Sequence, residues 1–382
     1  MKNRREFLEI AGLAALPAYG QMAPAREYRV YVGTGGSQSR GIYMFRLETR
    51  TGKATEPELA AEASNPNFLE IHPSRKFVYA VGDIPGPEGK KQGGVMAFSI
   101  EMKTGKLALL NQVSSSSAGP CHISVDKTGQ TALVANYGGG TVAAFGIEKD
   151  GRLRESASVI RHAGKSVNPK RQEAPHPHSF NVSLDNRWGV AADLGLDQVL
   201  VYKLDPAKST ITPANPPFAK VASGAGPRHF AFHPSGKYGY VINEIGNTVT
   251  AFRFDTARGV LTEIQDITTL PAGFSGTSYT AEVRVHPNGH FLYGSNRGHD
   301  SIAVFAIDQA TGRLKPVEIV STQGKNPRNF NLDPSGTLLL AGNQSTDNIV
   351  IFRVDRATGK MTPTGQTLKV PAPICHRFLP IA

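Results

Sequence analysis

The amino-acid sequence predicts an all-β protein folded as a seven-bladed β-propeller. The first observation is a repeated unit, in which an apolar strand ends in an aromatic residue and is followed by an acidic or polar pair and a Gly-centred turn. The unit occurs seven times, and 47 to 57 residues separate successive aromatic markers, which are Phe45, Phe98, Phe145, Tyr202, Phe252, Phe305 and Phe352. Strand-and-turn repeats of about 50 residues are typical of propeller blades.

The second observation is a hairpin that precedes six of these seven copies. In "GPRHFAFHPSGKYGYVINE" (226–244) two apolar runs flank a Pro-Ser-Gly turn. The corresponding turns lie at 72–76, 126–130, 185–188, 233–237, 286–290 and 333–337. Gly and Asn supply the positive φ that such turns require, and the alternating, β-branched runs favour strands over helices. Each unit therefore predicts two hairpins, or four antiparallel strands.

The third observation is that the first unit is split. "YRVYVGT" (28–34) corresponds to a second strand, and the missing leading strand is available in "PAPICHRFLP" (371–380). A C-terminal strand that completes the N-terminal blade would close the ring and leave no open edge. The alternative, a solenoid or a two-sheet sandwich, does not explain the split unit.

The N-terminus predicts an export signal at 1–25, ahead of a propeller domain at 27–382. The paired Arg4-Arg5 and an apolar stretch from Ile10 to Ala18, too short to span a bilayer, resemble a twin-arginine signal. Glu9 departs from that motif, which prefers Lys, and an ordinary N-terminal helix is the alternative. We expect a soluble, periplasmic or secreted protein, with no membrane segment after signal removal.

The composition narrows the possible partners. The 382 residues carry a net charge of +11, but Lys and Arg occur singly or in pairs, without the basic run that grips nucleic acid. Two interpretations of the positive charge remain: a mildly basic solvated surface, and a binding site for small anions. No HExxH, CxxC pair, Walker loop or dinucleotide fingerprint stands in its required context, so we expect no cofactor and no metal. We expect the protein to be a monomer or a weak dimer.

The predicted topology gathers titratable residues at one face. The start of the first strand and the end of the second lie together in an antiparallel hairpin, so these ends meet in one funnel. Residues that break the repeat are the strongest site candidates, namely Arg228, Glu244, Arg297 and the pair His176/His178. The further candidates for substrate binding are His122, Asn136, Asp193, His229, Asn296, Arg328 and Asn329. Asn136, Asn243, Asn296 and Asn343 recur at one repeat position, and His229 matches His122, which favours scaffold roles for these residues.

The two cysteines are predicted to be free thiols. Cys121 begins the inner strand of the third blade, and Cys375 lies on the inner strand of the first. Strands of non-adjacent blades stand farther apart than the Cα separation of roughly 7 Å that a disulfide tolerates.

Four segments carry a resemblance to a known family. They are "HPHSFNVSLDN", "DLGLDQV", "GPRHFAFHPSGKYGYVINE" and "SNRGHDSIAVF". In this order they resemble the seven-bladed propeller lactonases, which include the propeller type of 6-phosphogluconolactonase and the fungal 3-carboxy-cis,cis-muconate lactonizing enzyme. The resemblance spans about 27–382 and implies a catalytic His178, Arg228, Glu244 and Arg297. It also implies that the ligand is a small anionic lactone or sugar acid.

The chemistry of these residues suits lactone hydrolysis. A histidine can take a proton from water and return it, and a guanidinium can hold an oxyanion, a carboxylate or a phosphate. We therefore assign His178 as general base, Glu244 as its acid/base partner, and Arg228 and Arg297 as anion clamps. The export signal argues against a cytosolic sugar-phosphate substrate. A muconate-type cycloisomerase and a non-enzymatic ligand-binding propeller remain alternatives.

Overall fold

The computed structural model describes residues 25–381, which form 28 strands and one short 3-10 turn at Pro87–Gly89. The strands of the N-terminal half are β1 (Glu27–Thr34), β2 (Gly41–Glu48), β3 (Glu58–Glu62), β4 (Ser64–Ile71), β5 (Phe77–Pro85), β6 (Lys91–Ile100), β7 (Leu107–Ser114), β8 (Pro120–Val125), β9 (Thr131–Asn136), β10 (Thr141–Ile147), β11 (Leu153–Arg161), β12 (Pro177–Val182), β13 (Trp188–Asp193) and β14 (Gln198–Asp205). Those of the C-terminal half are β15 (Thr210–Lys220), β16 (Pro227–Phe232), β17 (Tyr238–Asn243), β18 (Thr248–Asp255), β19 (Val260–Thr268), β20 (Tyr279–Val285), β21 (Phe291–Arg297), β22 (Ser301–Ile307), β23 (Leu314–Ser321), β24 (Pro327–Leu332), β25 (Leu338–Asn343), β26 (Asn348–Val354), β27 (Met361–Lys369) and β28 (Pro373–Pro380).

The strands assemble into seven four-stranded antiparallel sheets, which confirms the predicted propeller. Blade 1 has the order β28-β1-β2-β3, and blades 2 to 7 take the remaining strands four at a time in chain order. The C-terminal strand pairs with β1 in the register Val30↔Phe378 and Tyr31↔Arg377. The split first unit is therefore completed by the end of the chain, as predicted. The mean twist of each sheet lets successive blades pack face to face around the ring.

The core lies between neighbouring blades. The second strands of blades 3, 4, 5 and 7 are buried along their whole length, because they are covered on both faces. Buried tyrosines join blades 1, 2, 5 and 6 to the next blade: the hydroxyls of Tyr31, Tyr79, Tyr240 and Tyr293 donate to backbone carbonyls of the following blade over 2.8–3.0 Å. The His-Pro turns make a similar contact, since His233 Nε2 donates to the Gly289 carbonyl of the next blade at 2.8 Å.

Two further predictions concern the cysteines and the N-terminus. Cys121 and Cys375 are free thiols, as predicted. The export signal predicted at 1–25 falls on residues outside the described part of the chain, apart from Ala25. Over residues 25–381, no helix has the length and apolar character needed to cross a membrane.

Candidate active site

The funnel at one end of the ring contains two connected pockets. The outer pocket, of about 450 Å³, includes Glu244, Arg297 and Arg171 in its lining. The inner pocket, of about 300 Å³, reaches Arg228 and His229. The two share the lining residues Asn65, Asn67, Cys121, His178 and Arg328, so they form one continuous site.

A β-bulge at the start of each inner strand creates this lining. In β12 the register runs from Pro177↔Asp193 to Ser179↔Ala192, which leaves His178 without a partner across the hairpin. The same shift, directly after a proline, leaves Cys121, Arg228 and Arg328 without a cross-strand partner in blades 3, 5 and 7. Bulges re-aim a side chain out of the regular ladder, and they are frequent beside active sites. In each of these four blades, the bulged residue thus contributes its side chain to the site.

Glu244 lies at the centre of an arginine cluster. Its Oε2 accepts from Arg228 Nε at 3.0 Å and from Arg297 Nη2 at 2.8 Å, and its Oε1 accepts from Arg171 Nη2 at 2.5 Å. Glu244 and Arg228 are 5% and 2% exposed, so these ion pairs are shielded from water. Burial alone would raise the pKa of the Glu244 carboxyl, but the charges of Arg297 and Arg228 outweigh it and hold that pKa well below its usual range.

Arg171 is a member of this cluster that the sequence analysis did not single out. It lies in the connection 162–176 between β11 and β12, and its guanidinium also stands 5.8 Å over the Tyr279 ring. Its pKa is raised: burial lowers it, but the hydrogen bond to Glu244 more than compensates. Connections between blades carry no repeat pattern, so no periodic signal marked this residue.

The segment "DLGLD" (193–197) fixes the 162–176 connection. Asp193 bonds His162 Nδ1 at 2.6 Å and the backbone N–H of His176 at 2.8 Å, which holds both ends. Asp197 accepts from Gln172 Nε2 at 2.8 Å and from Ser166 Oγ at 2.5 Å, which holds the middle. A Cβ on Gly195 would lie 1.9 Å from the Ala174 carbonyl oxygen, so only glycine allows this close approach.

Asp197 also organises the approach to Arg228. Its two carboxylate oxygens accept from the backbone N–H groups of Gly224 at 2.6 Å and Gly226 at 2.7 Å, immediately before β16. One buried carboxylate therefore holds both the connection that bears Arg171 and the strand that bears Arg228. The arginines around Glu244 are positioned by a rigid second layer of hydrogen bonds.

His178 faces both pockets as a neutral imidazole. Its Nδ1 lies 3.8 Å from Cys121 Sγ, and its Nε2 has no hydrogen-bond partner among residues 25–381. Burial, followed by the charges of Arg228 and the neighbouring His229, lowers the pKa of His178 well below its ordinary value. The imidazole is thus in its basic form throughout the neutral pH range.

His229, which lines the inner pocket, packs against His122, which lies outside the lining of both pockets. The His122 ring packs on Phe68 at a centroid distance of 4.3 Å, and the His229 ring stands 5.4 Å from His122 and 5.3 Å from His178. His229 Nδ1 lies 3.2 Å from Glu282 Oε1. Burial is the main reason that the pKa values of His122 and His229 are lowered.

Cys121 is poorly suited to act as a nucleophile. Burial raises the pKa of its thiol to about 12, and the charge of Arg228 only partly opposes this rise. The thiolate is the reactive form of cysteine, so the side chain stays protonated and unreactive at neutral pH.

Arg328 differs from the other three arginines of the site. It occupies the bulge of β24 and lines both pockets, yet it makes no hydrogen bond or ion pair with any residue between 25 and 381. Burial, and then the charge of Arg297, lowers its pKa. The site therefore holds a guanidinium whose donors are not used by the protein.

The remaining predicted residues lie at the rim or in the scaffold. His176 stacks on Tyr137 at a centroid distance of 4.5 Å and pairs with Glu173 at 3.2 Å. The residues outside the lining of both pockets, bonded to neighbouring strands or connections, are Asn136, Asp193, Asn296 and Asn329. The scaffold role expected for the recurring asparagines, and a direct contact of any of these four residues with substrate, both stay predictions.

Between residues 25 and 381, no group of three or more His, Cys, Asp and Glu side chains is arranged to hold a metal ion.

Comparison with known proteins identifies the family. The family described as "Lactonase, 7-bladed beta-propeller" matches residues 29–378. A 6-phosphogluconolactonase of Bacillus subtilis is 40% identical over 356 residues, which are 92% of this chain and 99% of that protein. A 6-phosphogluconolactonase of Formosa agariphila is 35% identical over 297 residues, covering 77% of this chain and 82% of its own. The structure of a periplasmic gluconolactonase of Pseudomonas aeruginosa superimposes with a TM-score of 0.87 at 31% identity, covering 93% of this chain and 100% of that one. The chain belongs to the seven-bladed β-propeller lactonase family.

Proposed function

We propose that this protein hydrolyses the lactone of a sugar acid, of the 6-phosphogluconolactone class, in the funnel. The observation that carries the proposal is a neutral, partner-free His178 nitrogen facing pockets in which three guanidiniums surround the Glu244 carboxylate, while a fourth, that of Arg328, also lines the pockets. The family and the names of the relatives at 40% and 35% identity support the same activity.

In the proposed mechanism, His178 is the general base. Nε2 takes a proton from a water molecule as the water oxygen attacks the lactone carbonyl carbon. When the ring C–O bond breaks, the same proton passes to the leaving alkoxide, so the imidazole returns to its neutral form. The products are an open hydroxy acid and an unchanged enzyme.

The arginines stabilise the charge that develops on the carbonyl oxygen. Arg297 uses Nη2 for Glu244 and for the Thr280 carbonyl, while its buried Nε has no partner among residues 25–381. This unused N–H is the donor that we propose for the oxyanion.

We assign Glu244 an electrostatic role in place of the acid/base role predicted from the sequence. A carboxyl whose pKa is held far below its usual range has no proton to give at neutral pH, and three guanidiniums occupy its oxygens. Its function in the proposed mechanism is to hold Arg171, Arg228 and Arg297 in fixed positions.

The test is proton release in a pH-stat with 6-phosphogluconolactone, δ-gluconolactone and a carboxymuconolactone. We expect hydrolysis of a gluconolactone, and His178→Gln should lower kcat/KM by about 10²-fold or more, the range for a lost general base. His290→Gln, which replaces an exposed histidine of a turn, is the matched control. Turnover by folded His178→Gln equal to that of the wild type would remove His178 from the mechanism. No proton release with any gluconolactone would favour the muconate-type or non-enzymatic interpretation.

We also propose that residues 1–25 direct the protein out of the cytoplasm. The twin-arginine-like sequence supports this, as does the similarity to a periplasmic gluconolactonase of Pseudomonas aeruginosa. Fractionation of cells that produce the full chain tests it, because an inactive signal would leave the protein with cytoplasmic markers.

A further inference from the structure

We propose that Arg328 is the anion anchor of the funnel and selects lactones that carry a phosphate monoester over neutral lactones. The inference rests on the proposed lactonase function and adds to it the residue that holds the phosphate of the substrate. It also changes an expectation from the sequence, in which Arg228 and Arg297 were the anion clamps.

The position of Arg328 in the fold makes it a site residue. It occupies the same bulge in blade 7 that presents His178 in blade 4 and Arg228 in blade 5. The backbone therefore aims these side chains into the funnel by one geometric device. Because Arg328 lines both pockets, it stands where they join, beside the proposed general base.

The two arginines that the sequence offered as clamps are already engaged. Arg228 and Arg297 both donate to Glu244 Oε2, and Arg228 Nη1 also donates to the Ala281 carbonyl at 2.8 Å. An anion that took these donors would compete with a buried carboxylate. Arg328 faces no such competitor among residues 25–381, so its planar donor pairs are open to a ligand.

The charge of the site calls for a dianion. Arg171, Arg228, Arg297 and Arg328 face only the carboxylates Glu244 and Asp83 across the two pockets, an excess of two positive charges. The histidines in the lining are neutral. A phosphate monoester carries a charge of about −1.5 to −2 at pH 7, which matches this excess, whereas a single carboxylate neutralises half of it.

The base of Arg328 is rigid. The next residue, Asn329, donates through Nδ2 to Glu282, and its Oδ1 accepts from His376 at 3.0 Å. The backbone that carries Arg328 is thereby fixed on both neighbouring blades, 6 and 1. The backbone beneath the guanidinium needs no ordering when an anion binds, which favours affinity.

The experiment compares Arg328→Met with the wild type on 6-phosphogluconolactone and on δ-gluconolactone. We expect the ratio of kcat/KM for the phosphorylated over the neutral lactone to fall by at least about tenfold, a modest effect for a lost charge-assisted contact. Arg328→Lys should retain part of the preference, because it keeps the charge and loses the planar pair of donors. Lys325→Met removes an exposed charge three residues away, outside both pockets, and should leave the ratio unchanged.

A calorimetric titration separates this inference from the proposed function. We expect inorganic phosphate and 6-phosphogluconate to bind the wild-type protein at least about tenfold more tightly than Arg328→Met, whether or not either lactone is hydrolysed. If neither lactone were hydrolysed but this difference in binding remained, the lactonase proposal would be overturned and the anchor role of Arg328 would stand. An unchanged kcat/KM ratio together with equal phosphate binding would overturn the anchor. If Arg328→Met weakened the binding of phosphate and of a carboxylate such as gluconate equally, Arg328 would bind anions in general. That result would contradict the proposed selectivity for phosphate.

Discussion

At the residue scale, the central feature is one carboxylate that forms ion pairs with three guanidiniums. Taking charged groups out of water is costly, and here the cost is offset because Glu244 bonds Arg171, Arg228 and Arg297 at once. The arrangement also explains why Glu244 stays ionised while His178, in the same funnel, stays neutral. Burial disfavours the charged form of both groups, and only Glu244 has opposite charges near enough to reverse that effect.

Replacement of Glu244 tests this interpretation. Glu244→Gln leaves the guanidiniums of Arg228 and Arg297 buried without a counter-charge, so we expect the free energy of unfolding to fall by about 3–5 kcal/mol, the usual cost of breaking a buried ion pair. Glu263→Gln, on the exposed face of β19, makes the same chemical change without a buried partner and should shift stability by less than about 0.5 kcal/mol. Urea denaturation of both variants measures the difference. Equal midpoints would show that the cluster around Glu244 does not hold the arginines.

The residues of the cluster also show what the sequence can predict. His178, Arg228, Glu244 and Arg297 stand out because each interrupts a repeat, and the structure brings all four into one funnel. The charge on Glu244 could not be derived in this way, because it depends on distances to side chains from three parts of the chain. Arg171 was missed for a related reason, since its position is set by tertiary hydrogen bonds to a segment that follows it.

At the element scale, the bulged inner strand and the 162–176 connection differ in what determines their conformation. The bulge is local: a proline begins the strand and the next residue leaves the ladder, a pattern visible in "GPCH", "HPHS", "GPRH" and "NPRN". The connection is not local, because it is held by Asp193 and Asp197 of the following hairpin. Sequence patterns therefore predict the strands and their funnel ends, but not the path of this connection.

Asp197→Asn should loosen the connection. Each oxygen of Asp197 accepts two hydrogen bonds, from Ser166 and Gly224 on Oδ2 and from Gln172 and Gly226 on Oδ1. An amide in either orientation turns its NH₂ group toward a backbone N–H, that of Gly224 or that of Gly226, so at least one hydrogen bond is lost. We expect faster cleavage by trypsin after Lys165, Lys170 or Arg171, and a raised KM because Arg171 is no longer held on Glu244.

The control for this prediction is Asp308→Asn, in an exposed turn between β22 and β23. It makes the same substitution far from the 162–176 connection and should leave both the trypsin pattern and KM unchanged. Resistance of Asp197→Asn to trypsin within 162–176, measured under conditions that nick flexible loops, would contradict the role assigned to Asp197.

At the scale of the whole molecule, ring closure was predictable and the interior electrostatics were not. The count of seven units and the split first unit give the closed ring directly, and β28 beside β1 confirms it. Closure has a consequence that no single blade shows: inner strands from all seven blades bury their polar residues around one axis. Six described histidines with lowered pKa values are distributed through this closed structure, and they are His122, His178, His229, His233, His286 and His376.

These histidines make the propeller sensitive to acid. Burial is the first cause of the lowered pKa in each of them, whereas in the unfolded chain they titrate near 6.5. Below pH 6.5 the unfolded state therefore binds more protons than the folded state, and the free energy of unfolding falls as the pH falls. Glu244 also makes the free energy of unfolding fall as the pH falls below the ordinary pKa of a glutamate. Its pKa is lowered in the folded state, so its stabilising charge is lost as the pH approaches that lowered pKa.

We expect the melting temperature to be nearly constant above about pH 7 and to fall steeply between pH 6 and 4. Each fully neutral buried histidine contributes up to about 1.4 kcal/mol per pH unit to this slope. Burial lowers the pKa of His376 to about 3, so His376→Gln should reduce the slope of unfolding free energy between pH 4 and 6 by about one such increment, whatever its effect on stability at pH 7. His290→Gln, which removes an exposed imidazole, is the control for the slope. Urea denaturation at several pH values measures both variants, and an unfolding free energy that stays flat or rises from pH 7 to pH 4 would show that the buried histidines of the closed ring are not held neutral.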